Sequence, residues 1–373
     1  GEQAYGQLIA GALNKPIGVL LEYALDAPIQ RNLPLPTVSK PAACSRGTVH
    51  LGVIGAGLFG KALLLPALEK LPEARLHTLV TSSGANVEHS GRKFGFQHQA
   101  TEATQVWENP EIQAVVGLTP HSHHALLVQS ALEYHKPLFL EKPLCTTEAE
   151  LAALRTQAQE AGSLPIVMVG HNRRFSPHTR QMQTWLQSRC TPLVMQIRVN
   201  SGFVPATHWV HSEDEGRSRI VGEMSHFIDL LQALTGSLVA RVHAERISGD
   251  NQSAVNNDNV VIALKLVDGS VGSLTYSAAG DKAYSREVLE LFFDGKTIVS
   301  RDFRVSELHG TGKTVVFKTR GQEMGYTEEL MHFTNCVAGR ERLLVSPEEM
   351  FATMETIFAI ERSLATANAV NTT

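Results

Sequence analysis

Gly55-Ala56-Gly57-Leu58-Phe59-Gly60 decides how this chain of 373 residues is to be read. The run follows the apolar stretch Val49–Ile54 directly and opens a helical pattern through Ala62, Leu65 and Leu68. Taken alone, a glycine turn only joins a strand to a helix. At the start of a strand–helix–strand unit it does more. The first glycine permits the tight turn, the second lets backbone close on a pyrophosphate, and the third packs helix against strand. Free N–H groups at the helix start then face the phosphates. Gly55, Gly57 and Gly60, with Leu58 and Phe59 between them, are therefore candidate dinucleotide-binding residues.

Outward from the turn, Leu76–Val80 predicts a second strand and His98 marks a third. Ala114–Leu118 and Leu138–Leu140 predict a fourth and a fifth, with a helix over His123–Tyr134 between them. A helix over Thr147–Glu160, N-capped by Thr147, leads to a sixth strand at Ile166–Val169. This alternation predicts a Rossmann-type doubly wound parallel sheet over residues 48–170. Beyond Gly170 the rhythm changes. Leu193–Val199 reads as a strand, Gly222–Leu234 as a helix stopped by Gly236, and Asp268-Gly269 and Asp294-Gly295 as hairpin turns. Two helices close the chain, the second opening on the capping box Ser346, Pro347 and Glu349. Residues 171–373 are thus expected to form an α+β domain on a large, mostly antiparallel open sheet. Its uncovered face favours a homo-oligomer. The fold class is α/β.

Ahead of this lie a helix (Glu2–Leu13) and a short strand (Ile17–Leu21), with residues 23–47 read as a linker carrying Pro28, Pro34, Pro36 and Pro41. A lone helix and strand cannot build a core, so residues 1–22 either dock elsewhere or are the remnant of a larger unit. A hydrophobic fraction of 43% and a charged fraction of 19% are those of a soluble globular protein. The net charge of -4 offers no basic footprint for nucleic acid. Cys44, Cys145, Cys190 and Cys336 form no Cys-x-x-Cys pair and read as thiols in a reducing compartment. No apolar run approaches the ~20 residues of a membrane span, and the expected location is the cytoplasm.

Candidate chemistry gathers at predicted strand ends. The second strand ends Thr81-Ser82-Ser83 with no acid to bond a ribose and repel a 2′-phosphate. Ser82 and Ser83, with Arg92-Lys93 further on, favour NADP over NAD within an NAD(P) site. The fourth strand ends in Thr119-Pro120-His121-Ser122-His123-His124, from which Thr119, Pro120 and His124 are assigned to the cofactor crevice. No acid or cysteine stands at ligand spacing from these histidines, so no metal is expected. Glu141-Lys142-Pro143 ends the fifth strand, where Glu141 and Lys142 are assigned to the cofactor crevice and Lys142 can polarise a substrate oxygen beside the nicotinamide. In Gly222-Glu223-Met224-Ser225-His226-Phe227-Ile228-Asp229, helical spacing puts Glu223, His226 and Asp229 on one face. A histidine flanked by carboxylates is suited to exchange protons near neutral pH. Arg173, Arg174, His208, Trp209 and Lys282, in predicted loops, are candidate substrate contacts, and their charges point to an anionic substrate.

Together the Gly55–Gly60 turn, Thr119-Pro120 with His124, Glu141-Lys142-Pro143 and the Gly222–Asp229 helix resemble the Gfo/Idh/MocA family (glucose–fructose oxidoreductase, inositol dehydrogenase and relatives). The resemblance covers nearly everything after Thr48. It implies hydride transfer at a sugar, cyclitol or sugar-nucleotide carbon, with Lys142 as catalytic lysine and His226 as acid/base. Many members place an aspartate four residues before the histidine. Here Gly222 stands there, and the acid is Glu223, turned by about 100° on a helix. The strings Val169–Pro177 and Arg219–Glu223 are similar to those of bi-domain oxidoreductases, in which this module follows a zinc-type medium-chain dehydrogenase half. Ala4–Glu22 look like the tail of such a half. Two other readings stay open: a dinucleotide-binding regulatory module without turnover, which Gly222 favours, and an NAD-dependent glycosidase.

Overall fold

The computed structural model describes residues 32–34, 47–162, 164–249 and 254–372. The helix and strand expected within residues 1–22 lie outside the described residues. The first sheet is built from β1 (Asn32–Pro34), β2 (Val49–Ile54), β3 (Ala74–Val80), β4 (His98–Ala100), β5 (Ala114–Gly117), β6 (Leu138–Leu140) and β7 (Val167–Val169). Its order is β1-β4-β3-β2-β5-β6-β7. Pairings from β4 to β7 are parallel, and β1 runs antiparallel to β4 at the edge. Three residues of the stretch read as a linker are thus an edge strand. Pro34 is tolerated there because an edge strand leaves some N–H groups unbonded anyway. All four residues of β5 are buried, as expected for a strand covered on both faces.

Between the strands run α1 (Leu65–Lys70), α2 (Gly84–Lys93), α3 (Thr104–Trp107), α4 (His124–Glu133) and α5 (Glu148–Glu160). A single π-helical turn, Gly60–Leu64, precedes α1. In α5 the Thr147 side chain accepts from the Glu150 N–H while the Glu150 carboxylate accepts from the Thr147 N–H, a complete capping box. The strand order reverses between β2 and β5. Open α/β sheets bind ligands in the crevice outside the carboxyl ends at such a point.

The second sheet comprises β8 (Val194–Asn200), β9 (Val239–Arg246), β10 (Asn259–Leu266), β11 (Val271–Ser277), β12 (Glu287–Phe293), β13 (Lys296–Arg301), β14 (Val305–His309), β15 (Val315–Lys318) and β16 (Val370–Asn371). The order is β15-β14-β13-β12-β8-β11-β10-β9-β16, antiparallel except where β8 meets β11. Period-two alternation sets its faces. Met195, Ile197 and Val199 point inward, as do Leu289 and Leu291, and all are buried. The core-side helices are α6 (Pro177–Leu186), α7 (Ser225–Thr235), α8 (Tyr326–Val337) and α9 (Pro347–Thr366). Of these, α9 packs on β9 and on α7. Across the opposite face Val194, Val261, Val271 and Phe292 are exposed.

Candidate active site

The carboxyl ends of the first sheet's strands carry the site. Gly55 follows β2 with φ +94°, and a Cβ there would collide with the backbone carbonyl of Leu118, just after β5. No other residue type fits a left-handed position pressed so closely against a neighbouring chain. At Gly57 a Cβ would meet nothing nearer than 4.0 Å, so the backbone stays open on the crevice side. Leu58 is 90% exposed, and the Phe59 ring meets Tyr326 edge-on at 5.8 Å. A bare glycine backbone at a helix start, lidded by exposed apolar side chains, fits a dinucleotide pyrophosphate.

Ser82 and Ser83 lie exposed at the end of β3, where Thr81 Oγ1 donates to Ser83 O at 2.9 Å. Arg92 and Lys93 are elsewhere. They occupy the last turn of α2, with Arg92 paired to Glu88 at 2.8 Å and Lys93 over the Phe94 ring. At ~1.5 Å rise per residue they stand a helix length from the strand end. The expectation that they serve a 2′-phosphate is corrected accordingly.

His124 ties two of the loops together. Its Nδ1 lies 2.6 Å from Pro143 O and its Nε2 3.1 Å from Thr119 O. Burial draws its pKa down to about 4, so the ring is neutral and its one N–H serves one carbonyl at a time. Thr119 and Pro120 are thereby fixed against the Lys142 loop, although Thr119 Oγ1 itself has no partner.

Lys142 Nζ donates to Gly222 O at 2.9 Å. Gly222 lies in a π-helical turn, Ile220–Met224, ahead of α7, where an α-helical turn was expected from residue 222 onward. Such turns interrupt the i→i−4 ladder and recur at functional sites. Burial lowers the Lys142 pKa and Arg173 lowers it further, against the raising effect of Glu141 and Glu223. An ammonium has three N–H donors; one is spent on Gly222, leaving the others for a substrate oxygen. Beside it, burial pushes the Glu141 carboxyl up to about 7, and Glu141 Oε1 is unpartnered.

His226 is 8% exposed, with Nδ1 enclosed and unpartnered. Burial, then the charges of Arg173 and Lys142, hold its pKa well below the usual imidazole value, so the ring is neutral. The expected carboxylate flanks are corrected. Glu223 is clamped by Arg219 (Nε to Oε1 2.7 Å, Nη2 to Oε2 3.2 Å) and receives the Tyr276 hydroxyl at 2.6 Å. Burial would raise its pKa, but these bonds outweigh that and lower it. Asp229 takes both forks of Arg174, at 2.7 and 3.1 Å, and His171 Nδ1 lies 3.4 Å from it. Against the effect of burial, Arg174 and His171 hold Asp229 at about 2. The π turn breaks the helical spacing between Glu223 and His226, whereas His226 and Asp229 both lie on the regular helix α7, where Asp229 is taken up by Arg174. What does adjoin His226 is His171, ring edge to ring face at 5.8 Å.

The substrate candidates divide. Arg173 is gripped bidentately by Glu287 of β12 at 2.6 and 2.8 Å, and Arg174 by Asp229 with Glu349 at 3.1 Å. Both are buried, and a buried guanidinium needs its counter-charge. Neither fork is free for an anionic substrate, which corrects that assignment; the charge of Arg173 still acts on Lys142 and His226. Trp209, 45% exposed, presents its indole to His121 at 5.1 Å. His208 is exposed and its Nδ1 accepts from the Val210 N–H. Lys282 is exposed, its stem against Gly202. Sequence reasoning missed His171, Arg219, Tyr276 and Glu287. Arg219 stands four residues before Glu223, an ion-pair spacing that could have revealed the clamp.

Residues 49–171 match the oxidoreductase family with an NAD-binding Rossmann fold, Gfo/Idh/MocA. The chain is 30% identical to an inositol 2-dehydrogenase of Saccharopolyspora erythraea over 54% of its length and 59% of the relative's. It is 24% identical to a scyllo-inositol 2-dehydrogenase (NAD(+)) of Bacillus subtilis over 84% of its length and 94% of that protein's. Among solved structures, levoglucosan dehydrogenase in complex with NADH and levoglucosan superposes with TM-score 0.74 at 19% identity. That alignment covers 87% of this chain and 99% of the other. Glycine turn, lysine loop and histidine helix stand together at one crevice, and residues 49–171 match the NAD-binding Rossmann domain of the Gfo/Idh/MocA oxidoreductases.

Proposed function

We propose that the protein is an NAD(P)-dependent dehydrogenase that moves a hydride between the nicotinamide and a carbinol carbon of a sugar, cyclitol or sugar nucleotide. The observation that carries this reading is the bond from Lys142 Nζ to Gly222 O, which sets an ammonium at the meeting of the lysine loop and the histidine helix. The nicotinamide, when bound, supplies the hydride chemistry. Gly55, Gly57 and Gly60 hold the dinucleotide's phosphates, and His124 braces the Thr119 and Pro143 loops that flank it. Lys142 donates to the substrate oxygen and stabilises negative charge as it develops there. Neutral His226 takes the hydroxyl proton at a ring nitrogen during oxidation and returns it during reduction. The inositol and levoglucosan dehydrogenases among the relatives support a polyhydroxylated substrate.

Three finer points belong to the same reading. The absence of an acid in Thr81-Ser82-Ser83 favours NADP. The exposed apolar face of the second sheet favours a homo-oligomer. Ala4–Glu22, similar to a medium-chain dehydrogenase tail, favour a preceding dehydrogenase half in a longer polypeptide.

Fluorescence titration with NADH and NADPH, followed by turnover on inositols, uronates and sugar nucleotides, tests the proposal. Net formation of reduced cofactor supports it. Glycoside cleavage without net turnover, or cofactor binding with no reaction, refutes it; a clear NADH preference overturns the NADP assignment alone.

A further inference from the structure

His121 has no role in the chemistry described so far, yet it lies beside all of it. It follows β5 on the loop that carries Thr119 and His124, and its ring is 8% exposed. Its Nδ1 is enclosed without a partner, and no hydrogen bond to either ring nitrogen occurs among the described residues. Buried polar atoms are nearly always paired, and leaving one unpaired costs about 1–3 kcal/mol. An unpaired imidazole in a catalytic crevice therefore points to a missing partner.

Its surroundings indicate what that partner is. A Cβ on Gly222 would stand 2.9 Å from His121 Cε1 and 3.4 Å from Nδ1. The absence of a side chain at position 222 is thus what gives this ring its place, beside the carbonyl that anchors Lys142. On the other side the ring meets the half-exposed indole of Trp209 at 5.1 Å, and His124 lies 5.6 Å away. Burial, reinforced by the charges of Lys142 and His124, holds the His121 pKa down at about 2, so the imidazole is neutral at any working pH. A neutral imidazole has one N–H donor and one bare lone pair. It suits a hydroxyl, which donates and accepts, and it cannot neutralise an anion. The indole beside it supplies an apolar, weakly polarised face for ring C–H groups.

We propose that His121 is a substrate-recognition residue. Its neutral imidazole, seated in the place that the missing side chain of Gly222 gives it, hydrogen-bonds a hydroxyl next to the reacting carbinol of a polyhydroxylated ring, with Trp209 against the ring's C–H face. The inference rests on the dehydrogenase reading above and deepens it. It makes the recognised group an uncharged hydroxyl, in place of the anionic group that Arg173 and Arg174 had suggested.

The test uses the whole chain, reduced-cofactor formation, and myo-inositol, scyllo-inositol, D-glucose and UDP-glucuronate as probes. The best of these is then compared with its analogue deoxygenated at the neighbouring carbon. His121→Phe keeps a flat ring against Trp209 and Gly222 but removes both nitrogens. It is expected to lower kcat/KM on the full substrate about tenfold, the worth of one hydrogen bond. On the deoxy analogue, wild type and variant should agree within about threefold, with NADH affinity unchanged. A second variant, His121→Asn, keeps one donor and one acceptor in a smaller volume and should retain more of the preference for the full substrate than His121→Phe does. Equal losses on substrate and analogue, or no loss, overturn the role of His121 alone. A wild-type chain that binds neither dinucleotide, or turns over none of the probes, overturns the dehydrogenase reading and this inference with it.

Discussion

Lys142 and Glu141 are adjacent in sequence, Glu141 buried and Lys142 partly so, and opposite in what burial asks of them. Low dielectric disfavours the charged form of each, lowering the amine's pKa and raising the carboxyl's. Lys142→Ala removes the donor aimed at the substrate oxygen. Turnover should fall by ~10²–10³-fold while NADH affinity stays within about threefold, as fluorescence titration would show. Glu141 yields a stability prediction. Its folded pKa is about 7, above the unfolded carboxylate value, so the folded state binds the extra proton in that window. Stability should therefore fall as pH rises from the unfolded carboxylate pKa through about 7. Glu141→Gln removes this dependence, and denaturant melts at pH 5 and pH 9 should differ by ~2 kcal/mol less in the variant. Asp229 acts in the opposite sense. Its depressed pKa contributes stability above the unfolded value, lost as pH falls toward about 2.

Among the elements, the two helix starts that frame the crevice are both irregular. Gly60–Leu64 and Ile220–Met224 are π-helical turns, and each precedes a regular helix. The first lies beside the glycine cradle, and the second turns a backbone carbonyl toward Lys142. The β2-to-helix turn tolerates nothing larger than glycine at 55. Gly55→Ala forces a Cβ onto the Leu118 carbonyl at a positive φ. It should cost about 1–3 kcal/mol in thermal or denaturant melts and weaken dinucleotide binding in the same variant. By contrast, Thr147→Ala removes only a cap from α5, remote from the cradle. It should cost about 1 kcal/mol and leave NADH affinity unchanged.

Across the whole molecule, buried ion pairs join the two sheets. Arg173 and Arg174 follow β7 of the first sheet. Their carboxylate partners sit on β12 of the second sheet, on α7 and at the start of α9. Removing one partner leaves a buried charge uncompensated, so Glu287→Gln should destabilise the fold by about 3–5 kcal/mol in equilibrium unfolding. The outer face of the second sheet presents Val194, Val271 and Phe292 in one cross-strand row. If this face closes a homo-oligomer, Phe292→Lys should lower the mass measured by light scattering without changing the melting point of the monomer by more than a few degrees.

Local pattern was enough for much of this protein. The period of the apolar residues marked β2, β5, β6 and the helices α1, α4, α5 and α7, because burial of one face follows directly from spacing, while α2, α3 and α6 carried no such mark. The glycine turn, the Glu-Lys-Pro end of β6 and the Ser346 capping box are also local, since backbone geometry imposes them within a few residues. Tertiary structure alone decided the charge partners. Glu287 lies 114 positions from Arg173, and Asp229 lies 55 from Arg174. No spacing rule reaches across such distances, so Arg173 and Arg174 read as free cations until the fold put carboxylates against them. The π turn at Ile220–Met224 was invisible for a related reason: it holds Glu223 and the Gly222 carbonyl where Lys142, Arg219 and Tyr276 receive them. The sequence by itself determined the order of the first sheet's main strands and the glycine, lysine and histidine segments that meet at the crevice. Which of those residues remain free to meet a substrate was settled by desolvation and pairing between distant segments, and these exist only once the chain has folded.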